Sequence, residues 1–512
     1  MSGDQAVPDK EERADLFAWL AVAAGALGAL MASLDIAIIN SALPAIQGEI
    51  GASGSDGTWI GTSFLIAEII SIILSGWLER LLGLRRLLLI ASTMFTAFSM
   101  LCGIANSLDM MILGRIGQGL FGGVLIPTAM AIVSTRLPPS QRAIGFALFS
   151  ITVMLGPVLG PLVGGLLAEH MSWRYSFFIN LPVGIVLVIL ILTGLAPTKA
   201  RYDLLLSADW VGIFGLAIGL GALTFVLEDG QREMWFESPL IRLLSLVAAL
   251  GFAMVAYGQL RAKTPAVALY LLRRPQFLNS ILLSVLSGIG LFGTLYLTPQ
   301  FLGLIAGYNS AEVGYVVLLN GVPFLLLSPV FPLLMRTVDI RILITSGVMC
   351  LIASSLLAAG LTPDSAGSFF IMPQLLMSMG MFLTMAFLSQ VVVMSVEDEI
   401  VDDASAIFNC ARNLGGSVGL ALIATMLDRR QSLHLARLSE SITQSAAQGQ
   451  ALLMNDGGGQ VPIALMSQAF ARQAAVMAFS DIYLILGGLM MLAVPLALMV
   501  KPIKHHGPLV MH

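Results

Sequence analysis

Charge is scarce in this sequence. Asp, Glu, Lys and Arg make up only 11% of its 512 residues, whereas 57% are hydrophobic; soluble domains usually carry about 25% charged residues. A surface so poor in charge cannot be kept in water, so most of it must face lipid. The net charge of −4 gives no hint of nucleic acid. Cysteine is rare too: Cys102, Cys350 and Cys410 lie inside long apolar runs and form neither a disulfide framework nor a metal-ligand spacing. The five histidines, His170, His434, His505, His506 and His512, stand outside those runs with no HExxH pairing, which leaves no catalytic or metal cluster. No GxxxxGK[ST] phosphate loop occurs, so an ATP-driven pump is excluded, and no repeated filter or pore ring suggests a channel. The first residues, MSGDQAVPDKEERADLF, lack a basic stretch ahead of their apolar run, which reads as a retained cytoplasmic tail (1–15) instead of a cleaved signal.

What is present is a series of long apolar stretches. A helix needs about 20 mostly apolar residues to cross a bilayer. That template fits at 16–39, 57–78, 86–105, 109–134, 142–166, 176–196, 207–227, 239–260, 276–300, 311–335, 340–360, 367–395, 403–426 and 476–500. The runs are too long and too uniformly apolar for barrel strands. The reading is therefore an all-α polytopic membrane protein of fourteen transmembrane helices. Its basic residues test the count. With the N-terminus inside, the cytoplasmic segments hold 17 of the 26 Lys and Arg, the opposite side holds 7, and Arg115 and Arg412 fall within spans. Such a bias predicts both termini cytoplasmic.

Polar, basic connectors at APTKARYDLLLSAD and RAKTPAVALYLLRRPQ divide the chain as six, two and six helices. This gives an N-terminal bundle at 16–197, an inserted helix pair with its linkers at 198–275, a C-terminal bundle at 276–500 and a tail at 501–512. Two six-helix halves around a central cavity are a common plan of secondary transporters. Residues 427–475 read as a long outer loop, in which Leu435, Leu438 and Ile442 follow helical spacing, so short amphipathic helices are expected there, along with a docking surface for an outer partner.

Ionisable residues at membrane depth cost about 2.5–3.5 kcal/mol or more and normally face the bundle interior, where they mark a pathway or relay. Asp35 lies on a stripe of small residues with Gly25, Gly28 and Ala32, which turns it inward as a candidate proton carrier. Glu68 lies between Gly61 and Ser75 at seven-residue spacing, as a second proton acceptor or a substrate contact. Arg115 shares a face with Gln118, and its permanent charge needs a partner, for which Asp35 and Glu68 are the candidates. Arg412, with Asn409 on the same side, reads as an interior residue near the mouth of a substrate cavity, to which Gln118 is also assigned. Conformational motifs complete the set. In LGPVLGPLVGGLL, Gly156, Gly160, Gly164 and Gly165 strip one side of a helix bare while Pro157 and Pro161 remove backbone hydrogen bonds, as in a bending point between the halves or a tight seal against leakage. In GWLERLLGLRR, Gly76 and Gly83 allow a turn, and Glu79, Arg80, Arg85 and Arg86 can form a charge network that latches one state.

These motifs together resemble the major facilitator superfamily, and within it the fourteen-helix drug:proton antiporters of the EmrB/QacA type. LDIAIINSALP (34–44), GWLERLLGLRR (76–86), LGRIGQGLFGG (113–123), GPVLGPLVGG (156–165) and WRYSFFINLPVG (173–184) fall in the order of that family's motifs. Glu79 stands where the family usually has Asp, and Glu68 is not part of the general pattern. The resemblance implies proton-coupled efflux of small hydrophobic compounds by alternating access across a bacterial inner membrane, without enzymatic chemistry and without a cofactor. It also implies a periplasmic membrane-fusion adaptor and an outer-membrane channel as partners. Export of one dedicated metabolite, such as a siderophore, is the alternative.

Overall fold

Long apolar segments in lipid leave the backbone no hydrogen-bond partner except itself, and a helix satisfies every interior N–H and C=O within one segment. The computed structural model describes residues 14–52, 56–262, 265–453 and 463–501. Among the described residues every regular element is helical, and fourteen helices are long and apolar enough to cross a membrane. They are α1 (Leu16–Ile50), α2 (Trp59–Leu82), α3 (Leu84–Gly103), α4 (Leu108–Arg136), α5 (Pro139–His170), α6 (Tyr175–Gly194) and α7 (Trp210–Asp229). The series continues with α8 (Pro239–Arg261), α9 (Pro275–Leu304), α10 (Ala311–Met335), α11 (Ile340–Ala358), α12 (Gly367–Met394), α13 (Val401–Leu453) and α14 (Gln468–Leu498). The expected all-α membrane architecture is present.

The most extensive packing joins α1 to α5, and the glycine pattern explains it. Gly156 lies against Ser33, Gly160 against Ala37 and Gly164 against Ile38, so the two backbones approach with no side chain between them. Gly165 is buried as well. The sequence suggested a bending point between the halves or a tight seal against leakage; the glycine face itself packs within the first six helices. α5 stays one continuous helix through Pro157 and Pro161. Other residues of α5 do reach the second half: Leu162 meets Gly314 and Val158 meets Gly321, both on α10.

The turn after α2 is made at Gly83, whose φ of 79° suits glycine. Gly76, expected to turn the chain, lies inside α2 and serves a different end: its missing side chain admits Asp402 and Asp403 at the start of α13. The outer-loop reading of 427–475 also changes. α13 continues without a break to Leu453, and the helix of α14 begins at Ile463. Polarity rises after residue 427, but no proline interrupts the stretch before the Gly-rich NDGGGQ, and a helix has no reason to stop merely because its surroundings become wet. The extension is tied to α14 by His434 Nε2 and Arg430 Nη1, 2.9 and 3.3 Å from Asp481 Oδ2. Leu435 is exposed there, and the side chain of Ile442 lies outside the described ones.

A Gly160→Val substitution places branched carbons against the Ala37 backbone. It should destabilise the protein by about 1–3 kcal/mol, read as a lower unfolding midpoint in detergent. Gly488→Ala, where an added Cβ meets nothing within 4 Å, should leave the midpoint unchanged.

Candidate functional site

Three glycines of α4 set up the site. Gly119 and Gly123 lie against the α2 backbone at Phe64 and Glu68, and Gly114 lies against Cys102 of α3. This close packing lets the side chains of α4 reach α1, α2 and α3 together. Arg115 is 2% exposed and Asp35 1% exposed. Arg115 Nη1 donates to Asp35 Oδ2 at 2.5 Å and to Gln118 Oε1 at 3.1 Å, and Nε donates to the Ile60 carbonyl at 3.1 Å. The guanidinium carbon stands 4.1 Å from the centroid of the Phe64 ring, a cation–π contact. Asp35 Oδ1 accepts from Gln118 Nε2 at 2.9 Å and from Asn180 Nδ2 at 2.8 Å. Asn180 also donates to Ser99 Oγ at 2.9 Å, and Ser99 donates to the Phe177 carbonyl at 2.9 Å.

The carboxylate thus collects three donors, one of them cationic, with no exposure to water. Separating such a pair by removing one member leaves an uncompensated buried charge. Adding a proton to Asp35 has a related effect, since the acid then loses its charge while Arg115 keeps its own. Every donor around Asp35 must then adjust, and α1, α2, α3, α4 and α6 all meet at this point. Asn180 and Ser99 were not singled out from sequence. Asn180 sits inside the quoted WRYSFFINLPVG stretch, and a lone Asn in a run of apolar residues was the available signal. The same stretch supplies Trp173 and Arg174, whose side chains bond Glu49 at the end of α1 at 2.7 and 2.8 Å. The Trp173 indole first, and Arg174 second, hold the Glu49 carboxyl below its usual range.

Glu68 does not bond Arg115. It is buried on α2, and its strongest opposite charge is Arg412 of α13, with Arg115 second. Glu68 and Arg412 make no direct ion pair, and Arg412 Nε has no hydrogen-bond partner. Near them, Asn409 Nδ2 faces Met130 Sδ of α4 at 3.9 Å, while its Oδ1 is buried without a donor. Opposite charges and unsatisfied polar atoms therefore face each other where the first and second six helices meet. Arg412 itself is buried, at 8% exposure.

At one end of α2 the halves are joined by charge. Arg80 Nη1 donates to Asp403 Oδ2 at 2.6 Å, and Nη2 donates to the Ala266 carbonyl at 3.2 Å. The expected network of Glu79 with Arg80, Arg85 and Arg86 takes another form: Arg80 crosses to α13, Glu79 faces Asp402 and Arg136, and Arg85 and Arg86 make no ion pair with a described residue. Asp402 and Asp403 escaped notice because, at the start of an apolar span, they read as a helix N-terminus where acids are common.

Comparison with known proteins places this arrangement. Residues 25–420 match the family model described as Major Facilitator Superfamily. The chain belongs to the Major Facilitator Superfamily. It is similar to the multidrug export protein EmrB of Escherichia coli, 31% identical over 93% of this chain and 94% of that protein. It is also similar to the fatty acid resistance protein FarB of Neisseria gonorrhoeae, 30% identical over 96% and 97%. Among solved structures, a XylE double-tryptophan mutant superposes with a TM-score of 0.64 at 14% identity, covering 96% of this chain and 97% of that one. This superfamily member is a multi-pass membrane transporter and not an enzyme.

The pair geometry predicts an asymmetric mutational response. Arg115→Ala strands Asp35 and should cost about 3–5 kcal/mol of stability. Asp35→Asn/Arg115→Gln removes both charges and should recover a large part of that loss in the same unfolding measurement.

Proposed function

We propose that this transporter exports small hydrophobic compounds in exchange for protons by alternating access. The observation that carries the reading is the buried Asp35–Arg115 pair, a charged centre whose neutralisation disturbs five helices at once. Asp35 carries the proton and Arg115 is its electrostatic partner. Glu68 is an auxiliary acid or substrate contact, and it shares the cavity with Gln118, Asn409 and Arg412. The printed activities of the relatives, multidrug export and fatty acid resistance, support a hydrophobic or amphiphilic substrate. The proton gradient drives the cycle and no cofactor takes part.

The membrane is the bacterial inner membrane, with both termini in the cytoplasm, as the distribution of Lys and Arg supports. In that orientation Arg80 and Asp403 close the cytoplasmic side, with Gly76, Glu79 and Gly83 shaping the contact. The α13 extension beyond the membrane then points to the periplasm, where a membrane-fusion adaptor leading to an outer-membrane channel can dock on it. Gly156, Gly160 and Gly164 transmit movement of α1 to α5.

Purified protein in liposomes, given an imposed pH gradient, tests the exchange. Addition of a hydrophobic cation or fatty acid should dissipate the gradient with wild type and should fail to do so with Asp35→Asn, while binding of the compound is retained. Transport that ignores the gradient would overturn proton coupling, and normal coupling in Asp35→Asn would transfer the carrier role to Glu68.

A further inference from the structure

The inserted pair α7–α8 is bound to both halves, and the two attachments differ in kind. α7 and α8 pack on each other through Gly215, Gly219 and Gly251, whose backbones nearly touch, so the pair is a rigid unit. α7 then packs against α2 on one side and α13 on the other. At its end, two adjacent acids point to different halves. Asp229 Oδ2 accepts from Thr62 Oγ1 of α2 at 3.0 Å, and Oδ1 takes an ion pair from Arg232 at 2.7 Å. Arg232 in turn bonds Thr58, just ahead of α2. Phe225 packs against Trp59 with ring centroids 5.0 Å apart and planes tilted by 37°, and Gly221 lies over Ile66 and Ile70. The attachment to α2 is thus an ion-paired anchor backed by apolar packing.

The attachment to α13 adds two side-chain hydrogen bonds to helix packing and has no ion pair among the described residues. Ser417 Oγ donates to Glu228 Oε1 at 2.7 Å, and Trp235 Nε1 donates to Thr425 Oγ1 at 3.0 Å. Glu228 has no cation beside it, unlike Asp229. Hydrogen bonds of this kind contribute about 0.5–1.5 kcal/mol each, rising when one partner is charged. That is small enough to break in each transport cycle and large enough to bias it. Ser417 also sits on the helix that carries Arg412, five residues further along, and whose first turn holds Asp403. Movement of α13 at one end is therefore felt at the other.

We propose that Glu228 and Trp235 form an outer latch on α13, opposed to the inner Arg80–Asp403 latch, and that the α7–α8 pair rides on the first six helices and lets go of α13 whenever the outer side opens. Glu228 is a positioning residue: it acts on the cavity through α13. The proposal rests on alternating access as described above, and it gives the inserted helix pair a mechanical role.

Matched cysteine pairs test it. Glu228→Cys/Ser417→Cys reports the contact with α13, and Asp229→Cys/Thr62→Cys reports the contact with α2. The rate of bridging by a short bifunctional methanethiosulfonate is followed in full-length protein with and without Asp403→Asn. Weakening the inner latch shifts the population toward the outer-closed state, so bridging at 228/417 should rise by about fivefold, while bridging at 229/62 should not change. Equal responses at both pairs, or none at 228/417, would overturn the proposal. Transport is the second readout. Bridging 228 to 417 should stop export and reductant should restore it, whereas bridging 229 to 62 should be tolerated. Export that survives the 228/417 bridge overturns the latch. Absence of export in the reduced variants and in wild type would instead count against the transport reading, because the bridging rates need no substrate.

Discussion

A full positive charge with nowhere to go organises the first half of this molecule. Arg115 cannot shed its proton, and helices on every side deny it water, so its charge has to be met by protein groups. Asp35 meets most of it, and the Ile60 carbonyl, Gln118 and the Phe64 ring meet the rest. Each of these contacts demands close helices. That is why α4 shows glycine to α2 and α5 shows glycine to α1: a larger residue at Gly119 or Gly160 would push the partners of the charge out of reach. The small-residue motifs and the charged residues are one design, in which packing supplies the distances that electrostatics needs.

The same arrangement gives a route by which a proton can move helices. α1 holds Asp35 and lies backbone to backbone with α5, and α5 touches α10 through Val158 and Leu162. A change in charge on α1 therefore bears on the second half within two contacts. α2 offers a parallel route, since it carries the Ile60 carbonyl and Glu68 along its length and Arg80 near its end. Arg412 and Asp403 receive these influences on a single helix, α13. The two halves thus face each other at Glu68 and Arg412 and are joined at one end by Arg80 and Asp403.

Much of this could be read from the sequence, for a physical reason. Lipid removes the alternatives to helices, so span number follows from apolar run length, and a charge inside a span stands out because it costs so much. Asp35, Arg115 and Gln118 were legible on those grounds, and the structure brings them together. Less legible were groups whose meaning depends on a distant partner. Asn180 and Ser99 look like ordinary polar residues until Asp35 is placed beside them. Asp403 looks like a helix cap until Arg80 arrives from a position more than three hundred residues earlier. Glu68 was one of two candidate partners for Arg115 on neighbouring helices, whereas Asp35 takes that place and Glu68 also feels Arg412 from the second half. The extent of α13 was misjudged because a loss of hydrophobicity was taken for the end of a helix.

The position of α7 has a bearing on how compounds dissolved in the bilayer can arrive. Two bundles that meet face to face form two junctions, one on each flank. α7 lies along the flank where α2 meets α13. On the other flank α5 meets α10 and α12, and no further helix among the described residues lies over that junction. A compound approaching from the membrane therefore meets two unlike flanks, one backed by a further helix and one, among the described residues, not, and the protein acquires a front and a back with respect to the lipid around it.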